Sequence, residues 1–138
     1  MACLKSGMSC NFFSDMPGKK FPWQKRLKPL ANTLLKKERK DAPVSVILCD
    51  DARQRELNKT YRKLDRVTDV LSFVWNEPGL LGEIYIAEGQ VKKQAPLYGN
   101  TYYRELKRVL VHGLLHLCGY DHHSKAERKV MRDRENSE

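Results

Sequence analysis

The chain reads as one α/β domain, a small mixed sheet of about four strands packed with helices. Three observations predict it. Its 138 residues suit a single domain, since domains commonly run to about 100–200 residues. Short apolar runs alternate with stretches whose apolar residues recur at helical spacing. No repeat, low-complexity tract or linker divides the chain, so residues 1–138 are taken as one domain. The element order is β-α-β-α-β-β-α-α-α, which implies a mixed sheet covered by helices.

Residues 10–13 are short and apolar, an expected edge strand closed by Pro17-Gly18. Trp23, Leu27, Leu30 and Leu34 then recur at helical spacing and read as a core stripe. Pro29 falls inside that pattern and should kink the helix or move its start. Residues 43–49 read as a buried strand. Asp51 and Gln54 form a capping-box signal for the next helix, with Leu57, Tyr61 and Leu64 as its apolar stripe. Residues 70–75 read as a strand. Residues 76–82 carry Pro78, Gly79 and Gly82, so a loop or wide hairpin is expected, leading to a partner strand at 83–87. A short helix is expected at 90–97, closed by Gly99-Asn100. The clearest helix spans 101–117, with Leu106, Leu110, Gly113, Leu114 and Leu117 on its core side. Gly119 is placed to end it in a left-handed conformation. Ser124 and Glu127 are a second capping box, opening a final short helix around Met131.

Charge narrows the functional classes. The formal net charge is +9, and residues 1–40 hold ten Lys/Arg against two Asp/Glu. A basic domain with its charge in one stretch suggests a polyanionic partner, most simply nucleic acid. The same pattern also describes a solvated lysine-rich helix face. No apolar run approaches the ~18–20 residues of a spanning helix, and no apolar segment resembling a signal peptide opens the chain. No membrane association is expected, and the cytoplasm is the expected location. Cys3, Cys10, Cys49 and Cys118 form no C-x-x-C pair and are expected to be free thiols.

All four histidines lie between His112 and His123. His112 and His116 are i and i+4 on a helix, with Cβ atoms about 5–6 Å apart on one face. Gly119 can turn the chain back and bring His122 to a third position. Three histidines with an open fourth position describe a catalytic zinc site holding one Zn²⁺. His123 is expected to point elsewhere, and Cys118 faces away from His116 on the helix. Asp121 is either an acceptor for a ligand imidazole N–H or a turn residue. The spacing resembles the metzincin H-x-x-x-H-x-x-G-x-x-H. The H-E-x-x-H general base is absent, however, because Gly113 stands in its place.

The segment from His112 to His122 resembles the signature of the YbeY family, bacterial and organellar rRNA-maturation endoribonucleases. A second block agrees. Leu57-Asn58-Lys59-Thr60-Tyr61-Arg62-Lys63-Leu64-Asp65-Arg66-Val67-Thr68-Asp69-Val70-Leu71-Ser72-Phe73 resembles that family's L-N-x-x-(Y/F)-R-x-x-D-x-P-T-D-V-L-S-F. Leu81-Gly82-Glu83-Ile84-Tyr85-Ile86 is similar to its L-G-(D/E)-I-x-I strand. The chain departs at Val67 and Val74, where the family often has Pro. Each change frees a backbone φ without removing a chemical group.

The resemblance implies one domain with the histidine helix central, and zinc on His112, His116 and His122. It matches Arg62 to the family's arginine; the guanidinium fork then makes Arg62 a candidate phosphate clamp, the alternative being a surface or ion-paired helix arginine. It implies cleavage of single-stranded RNA, with a role in maturing the small-subunit rRNA 3′ end and in ribosome quality control. The implied partners are rRNA precursor, the small ribosomal subunit and a ribosome-assembly GTPase.

On this reading His112, His116 and Arg62 carry the chemistry, and Lys19, Lys20, Lys25, Arg26 and Lys28 face the RNA. Trp23, Trp75, Tyr61, Tyr102 and Tyr103 could stack on bases, although Trp23 reads rather as core. Asp69 and Ser72 read as cap or turn residues at least as readily as catalytic ones. Two other functions compete: a non-catalytic ribosome-assembly factor containing a metal, and a metzincin-like metallopeptidase disfavoured by Gly113 and the basic charge.

Overall fold

The computed structural model describes residues 10–38, 40, 42–77 and 80–120. Cys3, the expected capping box at Ser124 and Glu127, and the expected helix around Met131 lie outside them. The elements run β1 Cys10–Ser14, α1 Gln24–Lys37, β2 Val44–Cys49, α2 Asp51–Arg62, β3 Val70–Glu77, β4 Leu80–Ala87, α3 Glu88–Gln94, a 3-10 turn Pro96–Tyr98, and α4 Tyr102–Leu117. The expected order holds over this range. The sheet is mixed, in the order β1-β2-β4-β3. β1 and β2 are parallel, as are β2 and β4, while β3 and β4 form an antiparallel hairpin. β1 is an edge strand as expected, and β3 is the other edge.

Alternation decides which side of each strand is buried. Val44, Val46 and Leu48 of β2 and Ile84 and Ile86 of β4 have no exposed surface. They join Leu106, Leu110 and Leu114 of α4 and Leu27, Leu34 and Leu35 of α1 in one core. α4 is central: it packs on β3, β4, α1 and α3. Among the described residues, no helix is long and apolar enough to cross a membrane.

Several elements differ from expectation for identifiable reasons. Trp23 is not core. It is the residue before α1, in the left-handed region at φ 54°, and 38% exposed, with its ring edge-on to Tyr102 and Tyr103. Pro29 lies inside α1 without moving its start. Pro29 and Lys25 are both exposed, so water can take the Lys25 carbonyl that the missing N–H would have bonded.

The cap of α2 is Asp50, not Asp51: Asp50 Oδ1 accepts the Arg53 N–H at 2.7 Å. Asp51 Oδ1 instead accepts the Gln90 N–H of α3 at 3.0 Å. Gln54 is buried, donating to the Tyr85 carbonyl at 2.9 Å. Tyr61 and Leu64 are exposed, so the buried side of α2 is Gln54, Leu57 and Asn58. Both hairpin strands extend further than expected, through 77 and from 80. The helix expected at 90–97 begins earlier, at Glu88, and gives way to the 3-10 turn at Pro96. The turn that lacks the family's proline at Val67 is held from inside, where buried Asn58 Nδ2 donates to the Arg66 carbonyl at 3.0 Å.

Candidate functional site

The site is built on α4. Thr101 caps that helix, its Oγ1 accepting the Arg104 N–H at 3.2 Å. One turn in sits Glu105, a carboxylate with no exposed surface. Such a group is tolerable when paired and hydrogen bonded. Gln94 Nε2 donates to it at 2.7 Å, Asn100 Nδ2 at 2.8 Å and Arg108 Nη2 at 2.6 Å. Burial alone would raise its pKa. The bonds from Arg108, Asn100 and Gln94, with the Arg108 charge, outweigh burial and hold the carboxyl below its ordinary range. Gln94 also donates to Asp69 Oδ2 at 2.9 Å. The network therefore ties α3 and the entry to β3 onto the helix that carries the histidines.

His112 and His116 meet as their spacing predicts. Their Nε2 atoms are 3.1 Å apart and their rings 4.6 Å apart. Two nitrogens each bound to one tetrahedral zinc at 2.0–2.1 Å would stand about 3.3 Å apart. The pair thus fits two ligand positions of such an ion. Among the described residues, no three His, Cys, Asp or Glu side chains are grouped to share a metal. His122, His123 and Asp121 lie outside the described residues.

The turn that leads toward His122 is described as far as Tyr120. The Tyr120 N–H bonds the Leu115 carbonyl at 3.0 Å and the Gly119 N–H bonds the His116 carbonyl at 3.1 Å. This is a Schellman ending, with Gly119 at φ 102° supplying its left-handed residue.

The two imidazoles line a cleft of about 100 Å³ with Val70, Leu71, Ser72 and Arg62. Arg62 ends α2 and is exposed. Its Nη2 donates to the Ser72 carbonyl at 2.7 Å, and its Cζ lies 5.5 Å from the centre of the Phe73 ring. Among the described residues, no carboxylate pairs with it.

Ser72 also reaches the helix, its Oγ donating to the Gly113 carbonyl at 3.1 Å. One residue thus holds the arginine by its carbonyl and the histidine turn by its hydroxyl. Nothing in residue spacing marks Ser72 for this; the link depends on β3 lying beside α4. Gly113 itself faces the sheet. A Cβ there would lie 3.0 Å from Ile84 Cγ2 and 3.2 Å from both Ser72 Oγ and Val70 Cγ2. Packing accounts for the departure from H-E-x-x-H, because a glutamate at this position would meet β3 and β4.

The basic residues lie elsewhere. Lys19 pairs with Glu88, Nζ to Oε1 at 2.5 Å, and Arg26 lies 4.1 Å above the Tyr103 ring. Lys20, Lys25 and Lys28 are exposed. Tyr103 precedes His112 by nine residues on α4, about 13 Å along the axis at 1.5 Å per residue. The structure therefore joins Arg62, His112 and His116 in one cleft and leaves the expected basic surface outside it.

Comparison with known proteins bears on this arrangement. Residues 13–137 match the family model described as Endoribonuclease YbeY. Three curated relatives carry the name Endoribonuclease YbeY. The one from Endomicrobium trichonymphae is 42% identical over 106 residues, covering 76% of this chain and 75% of its own. The one from Desulfitobacterium hafniense is 44% identical over 113 residues, covering 73% and 72%. The one from Staphylococcus aureus is 38% identical over 140 residues, covering 91% and 90%. The solution structure of TM1509 from Thermotoga maritima is similar at a TM-score of 0.66 and 34% identity, covering 92% of this chain and 87% of that one.

Proposed function

The chain belongs to the YbeY endoribonuclease family, and on that premise we propose that it cuts single-stranded RNA with one zinc ion held by His112, His116 and His122. The observation that carries the proposal is the convergence of two Nε2 atoms, 3.1 Å apart, in the same cleft as a guanidinium without a carboxylate partner among the described residues. When bound, zinc supplies Lewis acidity toward a phosphate oxygen and a water of lowered pKa.

The chain's own residues do the rest. Arg62 grips phosphate oxygens through the N–H groups not given to Ser72, since its fork matches their geometry. Ser72 fixes the distance between that fork and the imidazoles. Lys20, Lys25, Arg26 and Lys28 add a sequence-independent attraction that weakens with salt; Lys19 contributes less because it is ion-paired to Glu88, which it shares with Lys92.

The matched blocks at 57–73, 81–86 and 112–122 support the biological role. The enzyme acts in small-subunit rRNA 3′-end maturation and ribosome quality control, in the cytoplasm. Its partners are rRNA precursor, the small ribosomal subunit and a ribosome-assembly GTPase.

The test is cleavage of an end-labelled single-stranded RNA with and without chelator, beside a His116→Ala variant purified identically. Native cleavage that both chelator and the variant abolish is the expected result. Equal cleavage by native and variant proteins, or none on any RNA, would remove catalysis and leave a binding role in ribosome assembly.

A further inference from the structure

On the opposite face of the sheet from α4, α2 covers β3 and β4 only in part. What remains open is a recess of about 100 Å³ walled by Tyr61, Phe73, Trp75 and Tyr85, with Leu57, Glu83 and Arg53 completing its lining; Arg53 is turned to other carboxylates, Glu56 at 2.9 Å and Asp15 at 3.6 Å. Phe73 is its hub. Its ring centre lies 5.4 Å from Tyr61, 6.4 Å from Trp75 in a stacked arrangement, and 5.9 Å from Tyr85. Tyr61 is 61% exposed and Trp75 44%, so this aromatic surface meets solvent. Trp75 Nε1 donates to Glu83 Oε1 at 3.1 Å, which fixes the carboxylate and leaves Oε2 as an acceptor.

Arg62 connects the two sides. Its guanidinium sits on the Ser72 carbonyl at the cleft and beside the Phe73 ring at the recess. A phosphate gripped by Arg62 would therefore lie at the open edge of β3, with one neighbouring base directed toward the aromatic rings. Stacked aromatic walls beside a cation are the features that hold unpaired bases.

We propose that this recess binds one nucleobase of the RNA, and that Glu83 selects a base bearing an exocyclic amino group over uracil. The proposal rests on the nuclease reading above. A carboxylate accepts from the amino groups of cytosine, adenine or guanine. Uracil offers it a single N–H flanked by two carbonyl oxygens, which repel it. The strand thus bends around the edge of β3, its phosphate on Arg62, its base on Phe73 and its scissile bond toward the histidines.

The test uses fluorescein-labelled octamers of adenylate, cytidylate and uridylate. Binding is followed by anisotropy in the full chain carrying His116→Ala, which keeps the RNA intact. The adenylate and cytidylate octamers should bind at least about fivefold tighter than uridylate. Trp75→Ala should weaken their binding roughly 5- to 100-fold. Tyr61→Ala, at a more exposed site, should do the same in part, and answers for Trp75→Ala should that variant not fold. Glu83→Gln keeps an acceptor for Trp75 but can also donate to uracil, and should erase the base preference.

Equal affinity for all three octamers, unchanged in these variants while the native chain still cuts RNA, would overturn the subsite and leave the nuclease reading standing. Absence of both RNA binding and cleavage in the native chain would overturn both.

Discussion

Ser72 donates its hydroxyl to the Gly113 carbonyl at 3.1 Å, so the strand that anchors Arg62 is also pinned to the helical turn between His112 and His116. Ser72→Ala removes the pin and leaves the carbonyl that Arg62 uses. One part-buried hydrogen bond contributes about 0.5–1.5 kcal/mol. Urea unfolding should show a loss of that order. RNA cleavage should fall by less than in His116→Ala, and a wholly unchanged rate would show that the pin does not position the cleft.

Arg62→Lys separates charge from shape. Lysine keeps the charge but loses the planar fork. Since Arg62 is exposed, stability should change little, whereas kcat should drop by about a hundredfold if the fork stabilises charge developing on the phosphate. Native-like cleavage rates in a steady-state assay would remove Arg62 from the chemistry.

Gly113→Ala tests the close approach of α4 to the sheet. Alanine favours a helix by about 1 kcal/mol over glycine, but its Cβ would press on Ile84, Val70 and Ser72. Overpacking costs about 1–3 kcal/mol. The expected net is a loss of about 1 kcal/mol, seen as a fall in Tm of about 3–4 °C for a domain of this length, with cleavage reduced as the helix moves off β3. A rise in Tm would mean those neighbours yield freely.

Glu105 predicts an acid response. Its folded pKa lies below the ordinary 4.5 of the unfolded chain, so its stabilisation is complete above that value and disappears as pH falls through the folded value. Glu105→Gln should cost about 2–4 kcal/mol at neutral pH, because Arg108 loses its nearer carboxylate, keeping only the longer contact to Asp69 at 4.0 Å among those described, and Gln94 and Asn100 face a weaker acceptor. Thermal unfolding followed from pH 7 down to about pH 3 should show a shallower acid slope in the variant. Parallel curves would refute the assignment.

Cys10 and Cys49 are both pushed up to about 12, each mainly by burial. The thiolate is the reactive form, so native protein at pH 8 should alkylate at these two positions far more slowly than unfolded protein. Peptide mapping after iodoacetamide would read this directly, and rapid native labelling of either residue would contradict the packing around it.

Much of the fold was legible because it is local. Periodicity set the element order, an i, i+4 spacing placed His112 beside His116, and a glycine past the last apolar residue marked the Schellman turn. The misreadings share a cause, which is a partner distant in sequence. Asp50 and Asp51 are equally good caps, and the choice is settled by Gln90, which takes Asp51 from another helix. Trp23 continues the helical phase of Leu27 and Leu34 but stands before the helix, edge-on to tyrosines of α4. Gly82 suggested a loop, yet it lies within β4. Family resemblance singles out Arg62; without it the residue reads rather as a surface or ion-paired arginine. Its place in the cleft depends on β3 passing beside the end of α2.

The bond from Arg62 to Ser72 has one more effect. β3 is an outer strand, and the Ser72 carbonyl points away from the sheet, where a second chain could pair with it. A charge seated on that carbonyl is a known defence against such pairing. The same guanidinium that faces the cleft therefore guards the molecule against self-association. Neutral substitutions at Arg62 should leave the protein more prone to aggregate at high concentration, a solubility defect separate from any loss of cleavage.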